Sequence, residues 1–110
     1  METPELTREL LQSLGGMLLL DVVDNFGTDI ENKYSPILQN KITERMNEAL
    51  REFFNDMLIF RPVASARSYF SDEFKMPVFD VYCNVDGESH TWTGPLNKKT
   101  LENILHLKRI

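Results

Sequence analysis

The hydrophobic period of this chain changes once, near residue 59, and that change excludes most architectures. Apolar residues recur at Leu38, Ile42, Met46, Leu50, Phe53 and Met57, with Ala49 beside them. This is the three-to-four spacing of one helix face. From Ile59 the period falls to two. Phe60, Pro62, Ala64, Ala66 and Phe70 alternate with Arg61, Val63, Ser65, Arg67 and Tyr69, the pattern of a strand covered on one side. Helices first and strands after predict an α+β domain, not alternating βαβ units.

Local signals place the remaining elements. Thr3-Pro4-Glu5 reads as a helix start, with a cap, a proline at the first helical position and an acid in the first turn. Leu6, Leu10, Leu14 and Leu18 follow at spacing four, with Leu11 widening the stripe. Gly15-Gly16 interrupts them at a cost of roughly 2 kcal/mol relative to alanines in a helix. The helix can end there, leaving Met17 to Val23 as a buried strand, or run on; the residues leave both open. Asn25-Phe26-Gly27 is a turn signal in either case. Ser35-Pro36 opens the second helix by the same cap-and-proline logic, and its opposite face carries Lys41, Glu44, Arg45, Glu48, Arg51 and Glu52. Mixed signs of this kind read as solvated helix surface.

After Ser71-Asp72-Glu73-Phe74, a second strand places Phe79, Val81, Cys83 and Val85 on one face and Asp80, Tyr82 and Asn84 on the other. Asp86-Gly87 predicts a two-residue hairpin turn, and Gly94-Pro95 ends the returning strand. Asn97 caps a short last helix with Leu101, Ile104 and Leu105, extending toward Ile110. The expectation is one domain over residues 1–110: two N-terminal helices, an antiparallel three-stranded meander and a short C-terminal helix.

Composition narrows function. A net charge of −5 and a pI near 5.0 disfavour phosphate binding, which needs concentrated Lys and Arg. The basic pairs Lys98-Lys99 and Lys108-Arg109 read as helix-end charges. The N-terminus lacks a basic region followed by an apolar run. The longest apolar run, Met17 to Leu20, is too short to span a bilayer. These features predict a protein that is cytoplasmic when made, with no membrane partner. A lone cysteine excludes an internal disulfide.

Candidate chemistry is sparse. The hairpin register predicts Val85 facing Glu88, Cys83 facing His90 and Val81 facing Trp92, with His106 a conceivable third ligand beside Cys83 and His90. Zinc sites carry paired ligands at short spacing, which this chain lacks. Cys83 and His90 are therefore expected to pack, and no metal, cofactor, catalytic residue or small-molecule substrate is expected. Arg61, Arg67, Tyr69, Tyr82 and Trp92 are of residue types enriched at interfaces. Trp92 is assigned to the core by its facing, which leaves Arg61, Arg67, Tyr69 and Tyr82 as the candidate partner-binding residues. The strand containing Pro62 is expected at a sheet edge, where its backbone can pair with another chain.

Two resemblances bear on function. "DGESHTWTG" is similar to the hairpin of the histone-like nucleoid-structuring proteins. In that family a glycine- and arginine-containing loop after the hairpin enters the minor groove. Here Pro95-Leu96-Asn97 stands in its place, without arginine, so the hairpin is expected to be scaffold. The alternative that it implies is a small regulatory module binding nucleic acid, or a nucleic-acid-binding protein, through that hairpin.

The order LTRELLQSL, NFGTDIENKYSP, ILQNKITERMNEALREFF and MPVFDVYCNVDG resembles the baseplate wedge, or sheath-initiator, family of phage contractile tails and type VI secretion. The resemblance covers residues 6–87. The family's Glu-Pro-Arg after the long helix is absent; Phe54-Asn55-Asp56 stands there, with Arg61-Pro62 further on. The resemblance implies a non-catalytic structural role in a baseplate, among other protein subunits, with strands offered to the first sheath ring. For a phage protein it also implies residence in the virion.

Overall fold

The computed structural model describes residues 4–55, 63–85 and 87–109. Helix α1 (Pro4–Phe26), a single turn α2 (Ile30–Lys33) and helix α3 (Pro36–Asn55) precede strands β1 (Val63–Ser71), β2 (Met76–Val85) and β3 (Glu88–Pro95); α4 (Lys98–Arg109) closes the chain. The strands form an antiparallel sheet in the order β1-β2-β3. The fold is thus the α+β arrangement that the change of period predicts, with α2 as an added turn.

Gly15-Gly16 does not end the first helix: α1 runs through both glycines and on to Phe26, so Met17 to Val23 is helix. Its apolar run is long because α1 is the middle helix, packed against α3, α4, β2 and β3. Leu11, Leu14, Leu18, Leu19, Val22 and Val23 are all buried, whereas a surface helix would bury one stripe. Gly15 supplies room for the sheet. A Cβ there would lie 2.3 Å from the Trp92 ring, and one on Gly94 would lie 2.6 Å from it. The indole sits between these glycines and meets Phe79 edge-on, with centroids 5.6 Å apart. Trp92 is therefore half-buried against the core, scaffold as its facing implies.

The caps act as read. Ser35 Oγ accepts from the Leu38 N–H at 3.1 Å, and Asn97 Oδ1 from the Thr100 N–H at 2.8 Å. Glu31 on α2 adds a carboxylate at the start of α4, accepting from the Lys98 N–H at 2.6 Å. Gly27, with φ +77°, takes the left-handed position just after α1. The hairpin register pairs Val85 with Glu88, Cys83 with His90 and Val81 with Trp92. Asn84 Oδ1 accepts from the Gly87 N–H at 3.1 Å inside that turn.

The core lies between helices and sheet, built from α1, the Ile42–Met46–Leu50 stripe of α3, and Phe79, Val81 and Cys83 of β2, with Leu96 and Leu101 closing one end. Thr3, Met57, Phe60, Arg61, Pro62, Asp86 and Ile110 lie outside the described residues. No helix among those described is long and apolar enough to cross a membrane.

Candidate functional site: the open face of the sheet

One face of the sheet is consumed by the core, and among the described residues no helix covers the other. Strand alternation places Ser65, Arg67 and Tyr69 of β1 on this open face. The register sets Asp80 beside Arg67, Tyr82 beside Ser65, and Val78 beside Tyr69. On the other side of β2, Thr93 lies beside Asp80 and Thr91 beside Tyr82. Three of the four residues singled out as partner-binding, Arg67, Tyr69 and Tyr82, are thereby brought together. Arg61, the fourth, lies outside the described residues.

Asp80 organises this face. Arg67 donates to its Oδ2 from Nε at 3.2 Å and from Nη2 at 3.1 Å. The Tyr69 hydroxyl donates to Oδ1 at 3.2 Å, and the Thr93 hydroxyl donates to the same oxygen at 2.8 Å. All three donors reach it from neighbouring strands, so its side chain is only 14% exposed while that of Arg67 is 69% exposed. The Arg67 guanidinium also lies 4.7 Å from the Tyr69 ring centroid, in cation–π range. An exposed pair of this kind contributes only about 0.2–1 kcal/mol to stability. Its larger effect is to hold Arg67 and Tyr69 in fixed poses, which lowers the entropy lost on binding.

The tyrosines titrate in opposite directions. Desolvation first, then the Asp80 charge and hydrogen bond, raise the Tyr69 pKa. Hydrogen bonding from Ser89, then Asn84, lowers that of Tyr82; its hydroxyl lies 3.0 Å from the Ser89 hydroxyl. Two hollows complete the face. A depression of about 260 Å³ is walled by Ser65, Arg67, Asp80, Tyr82 and Thr91. An apolar one of about 370 Å³ lies at the far end, lined by Phe74, Met76, Val78, Thr93 and Pro95, with Phe74 55% exposed. Asp80 was visible only as a polar position in β2; its importance depends on three strands meeting in one register, for which the sequence has no local signal.

The strand edge meets a different fate. β1 is an edge strand, as its pattern implies, but at Ala66 and Ser68 its outer side is already paired. Asn47 Oδ1 accepts from the Ala66 N–H at 3.0 Å, and Asn47 Nδ2 donates to the Ala66 carbonyl at 2.8 Å. The side-chain amide thus stands in for a neighbouring strand's peptide group. Thr43 Oγ1 accepts from the Ser68 N–H at 2.9 Å, and Ser68 Oγ donates to the Gln39 carbonyl at 3.0 Å. The expectation that this edge pairs with another chain is therefore corrected at these rungs: α3 covers them. The sequence does carry a signal for this, since Gln39, Thr43 and Asn47 are uncharged polar residues at spacing four along the border of the apolar stripe.

A third concavity, of about 380 Å³, lies between α1 and α3 and is lined by Met17, Leu20, Asp21, Arg45, Glu52 and Phe53, among others. Arg45 grips Asp21 in bidentate fashion, Nε to Oδ2 at 2.8 Å and Nη2 to Oδ1 at 2.9 Å. It also contacts Glu48 and Glu52. Hydrogen bonding to Asp21 raises its pKa. The charged face of α3, read as solvated surface, thus includes one residue that ties two helices together.

Cys83 is fully buried, His90 lies beside it in the register, and His106 is exposed on α4. Among the described residues, no three His, Cys, Asp or Glu side chains are grouped to hold a metal ion. No family model matches this sequence, and no curated protein or solved structure matches it either.

Proposed function

We propose that this protein is a non-catalytic assembly subunit that binds other proteins through the open face of its sheet. The observation that carries this reading is the convergence of Arg67, Tyr69 and Thr93 on one shielded carboxylate, Asp80, with Tyr82 beside it on the same face. Arginine and tyrosine held rigidly are the side chains that anchor protein interfaces. The apolar hollow beside them suits a partner's aliphatic or aromatic side chain. The α1–α3 concavity is a second contact surface in this reading.

The finer proposal is a component of a phage or phage-like contractile-tail baseplate, made in the cytoplasm of the host. It is supported by the order of helix, apolar-acidic connection, long helix and paired strands. In that setting the open face is the surface offered to neighbours, and the β1 edge is not, because α3 occupies it at Ala66 and Ser68.

The test compares tagged wild type with the double variant Arg67→Ala, Tyr82→Ala, each purified gently from the native source. Sheath, hub or wedge subunits at fixed stoichiometry with the wild type, and absent from the folded variant, support the proposal. Equal recovery by both, or recovery of nucleic acid in their place, overturns it.

A further inference from the structure

The two edges of the sheet are not equivalent, and we infer that the open one, β3, pairs with β3 of a second copy to form a closed dimer. The phase of the ladder decides which backbone groups are available. Leu96 N–H donates to the Pro77 carbonyl at 2.9 Å. Alternation in an antiparallel ladder then directs His90, Trp92 and Gly94 toward β2, and Ser89, Thr91 and Thr93 away from it. Pro95, which has no N–H, falls on the outward set, where an edge strand tolerates proline.

Pro95 guards only the last outward rung; the three before it carry no such device. Ser89, Thr91 and Thr93 are uncharged and exposed, and the register with β2 is continuous from Glu88 to Pro95 without a bulge. The final helix packs mainly on α1.

The strand is also complementary to itself. Antiparallel pairing about a two-fold axis at Thr91 sets Thr91 opposite Thr91 of the second copy. It sets Ser89 opposite Thr93, each pair exchanging both of its hydrogen bonds. On the helix side, His90 meets Trp92 of the second copy, and Glu88 meets Gly94. No like charges face one another in this register, and paired threonines and serines are favourable cross-strand neighbours. Closure follows from the other edge. Because Asn47 and Thr43 occupy Ala66 and Ser68 on β1, each copy offers one adhesive edge, and assembly stops at two rather than growing into a fibre. The dimer would carry a continuous six-stranded sheet with both open faces on the same side, so the proposed binding surface would be presented twice.

The test measures mass by sedimentation over a wide concentration range, with purified protein alone, so partner binding does not enter it. Wild type should weigh twice the 12.8 kDa chain at the upper end and dissociate on dilution. Thr91→Pro removes the central N–H, and Thr91→Lys places two ammonium groups opposite each other; each should weaken association at least about tenfold. Should the proline variant lose its fold, the lysine variant decides, since its side chain projects from an exposed position. Hydrogen exchange gives an independent reading. The Ser89, Thr91 and Thr93 amides should slow as the dimer forms, while Ala66 and Ser68 stay protected throughout. A wild type that remains monomeric at high concentration overturns the inference, as does a dimer indifferent to both substitutions.

Discussion

The edges β1 and β3 belong to one small sheet, yet they solve the problem of unpaired backbone groups in opposite ways. At β1, a helix laid alongside the strand supplies the missing partners from its side chains. At β3, nothing in the described structure replaces them, and the outward residues are small, neutral and exposed. Both strands look alike in sequence, as short alternating segments. Their difference arises because α3 packs against β1 whereas α1 packs on the face of β2 and β3. An edge is sealed when a helix with polar residues at spacing four runs past it. It stays open when the nearest helix spends its contacts on the core.

The strongest way to break this contrast is to unseal β1. Asn47→Ala removes both partners of the Ala66 peptide group and should cost about 2–4 kcal/mol, the penalty for a donor and an acceptor left unsatisfied in a part-buried site. Urea unfolding would register the loss. Sedimentation of the double variant Thr43→Ala, Asn47→Ala under folding conditions should show species beyond the dimer, since both sealed rungs of β1 would then be open. Unchanged stability would mean that water serves the Ala66 groups as well as Asn47 does.

Gly15→Val attacks the other side of the comparison through the seat of Trp92. The new side chain must displace the indole that fastens β3 to α1, at a cost of about 1–3 kcal/mol for overpacking. Tryptophan emission should move to the red, and exchange at β3 amides should quicken more than at β1. If both strands respond equally, Trp92 holds the whole sheet and not β3 in particular.

The smallest effect is in alkaline titration. The Tyr34 hydroxyl lies beside the β1 seal, 3.4 Å from Ser68 Oγ, and burial raises its pKa above the ordinary 10.0, an effect only partly offset by the Ser68 hydrogen bond. A raised folded value means that the unfolded chain loses this proton first. The stability it contributes is therefore intact below pH 10 and declines as pH rises above it. Tyr82, near β3, is shifted the other way and should contribute with the opposite sign. Unfolding free energies measured from pH 9 to 11 should fall less steeply for Tyr34→Phe than for wild type, and more steeply for Tyr82→Phe. Identical slopes would show that neither phenol senses folding.

Much of this architecture is legible in the sequence. The period change near residue 59, the caps at Ser35 and Asn97 and the Asp86-Gly87 turn depend on neighbours in sequence, and local chemistry suffices to read them. The register of β2 against β3 follows from that turn, which is why Cys83 facing His90 and Val81 facing Trp92 could be derived. Alternation likewise put Arg67 and Tyr69 on one face of β1 and Tyr82 on one face of β2.

What the sequence could not decide has a common cause: each case depends on what lies across the molecule. Gly15-Gly16 has the composition of a helix end, and only the indole of Trp92, 77 positions further along the chain, explains why a helix should carry a glycine there and continue. Met17 to Val23 has the apolar density of a buried strand, and only contacts on several sides of α1 make it a helix. Asp80 gains its donors from two flanking strands, and Asn47 gains its role from a strand that begins after α3 has ended. Sequence determined the elements and their faces, because periodicity and capping act within a few residues. Tertiary structure alone decided which face stayed bare and which edge was sealed, because burial and hydrogen-bond satisfaction are settled between segments distant in the chain.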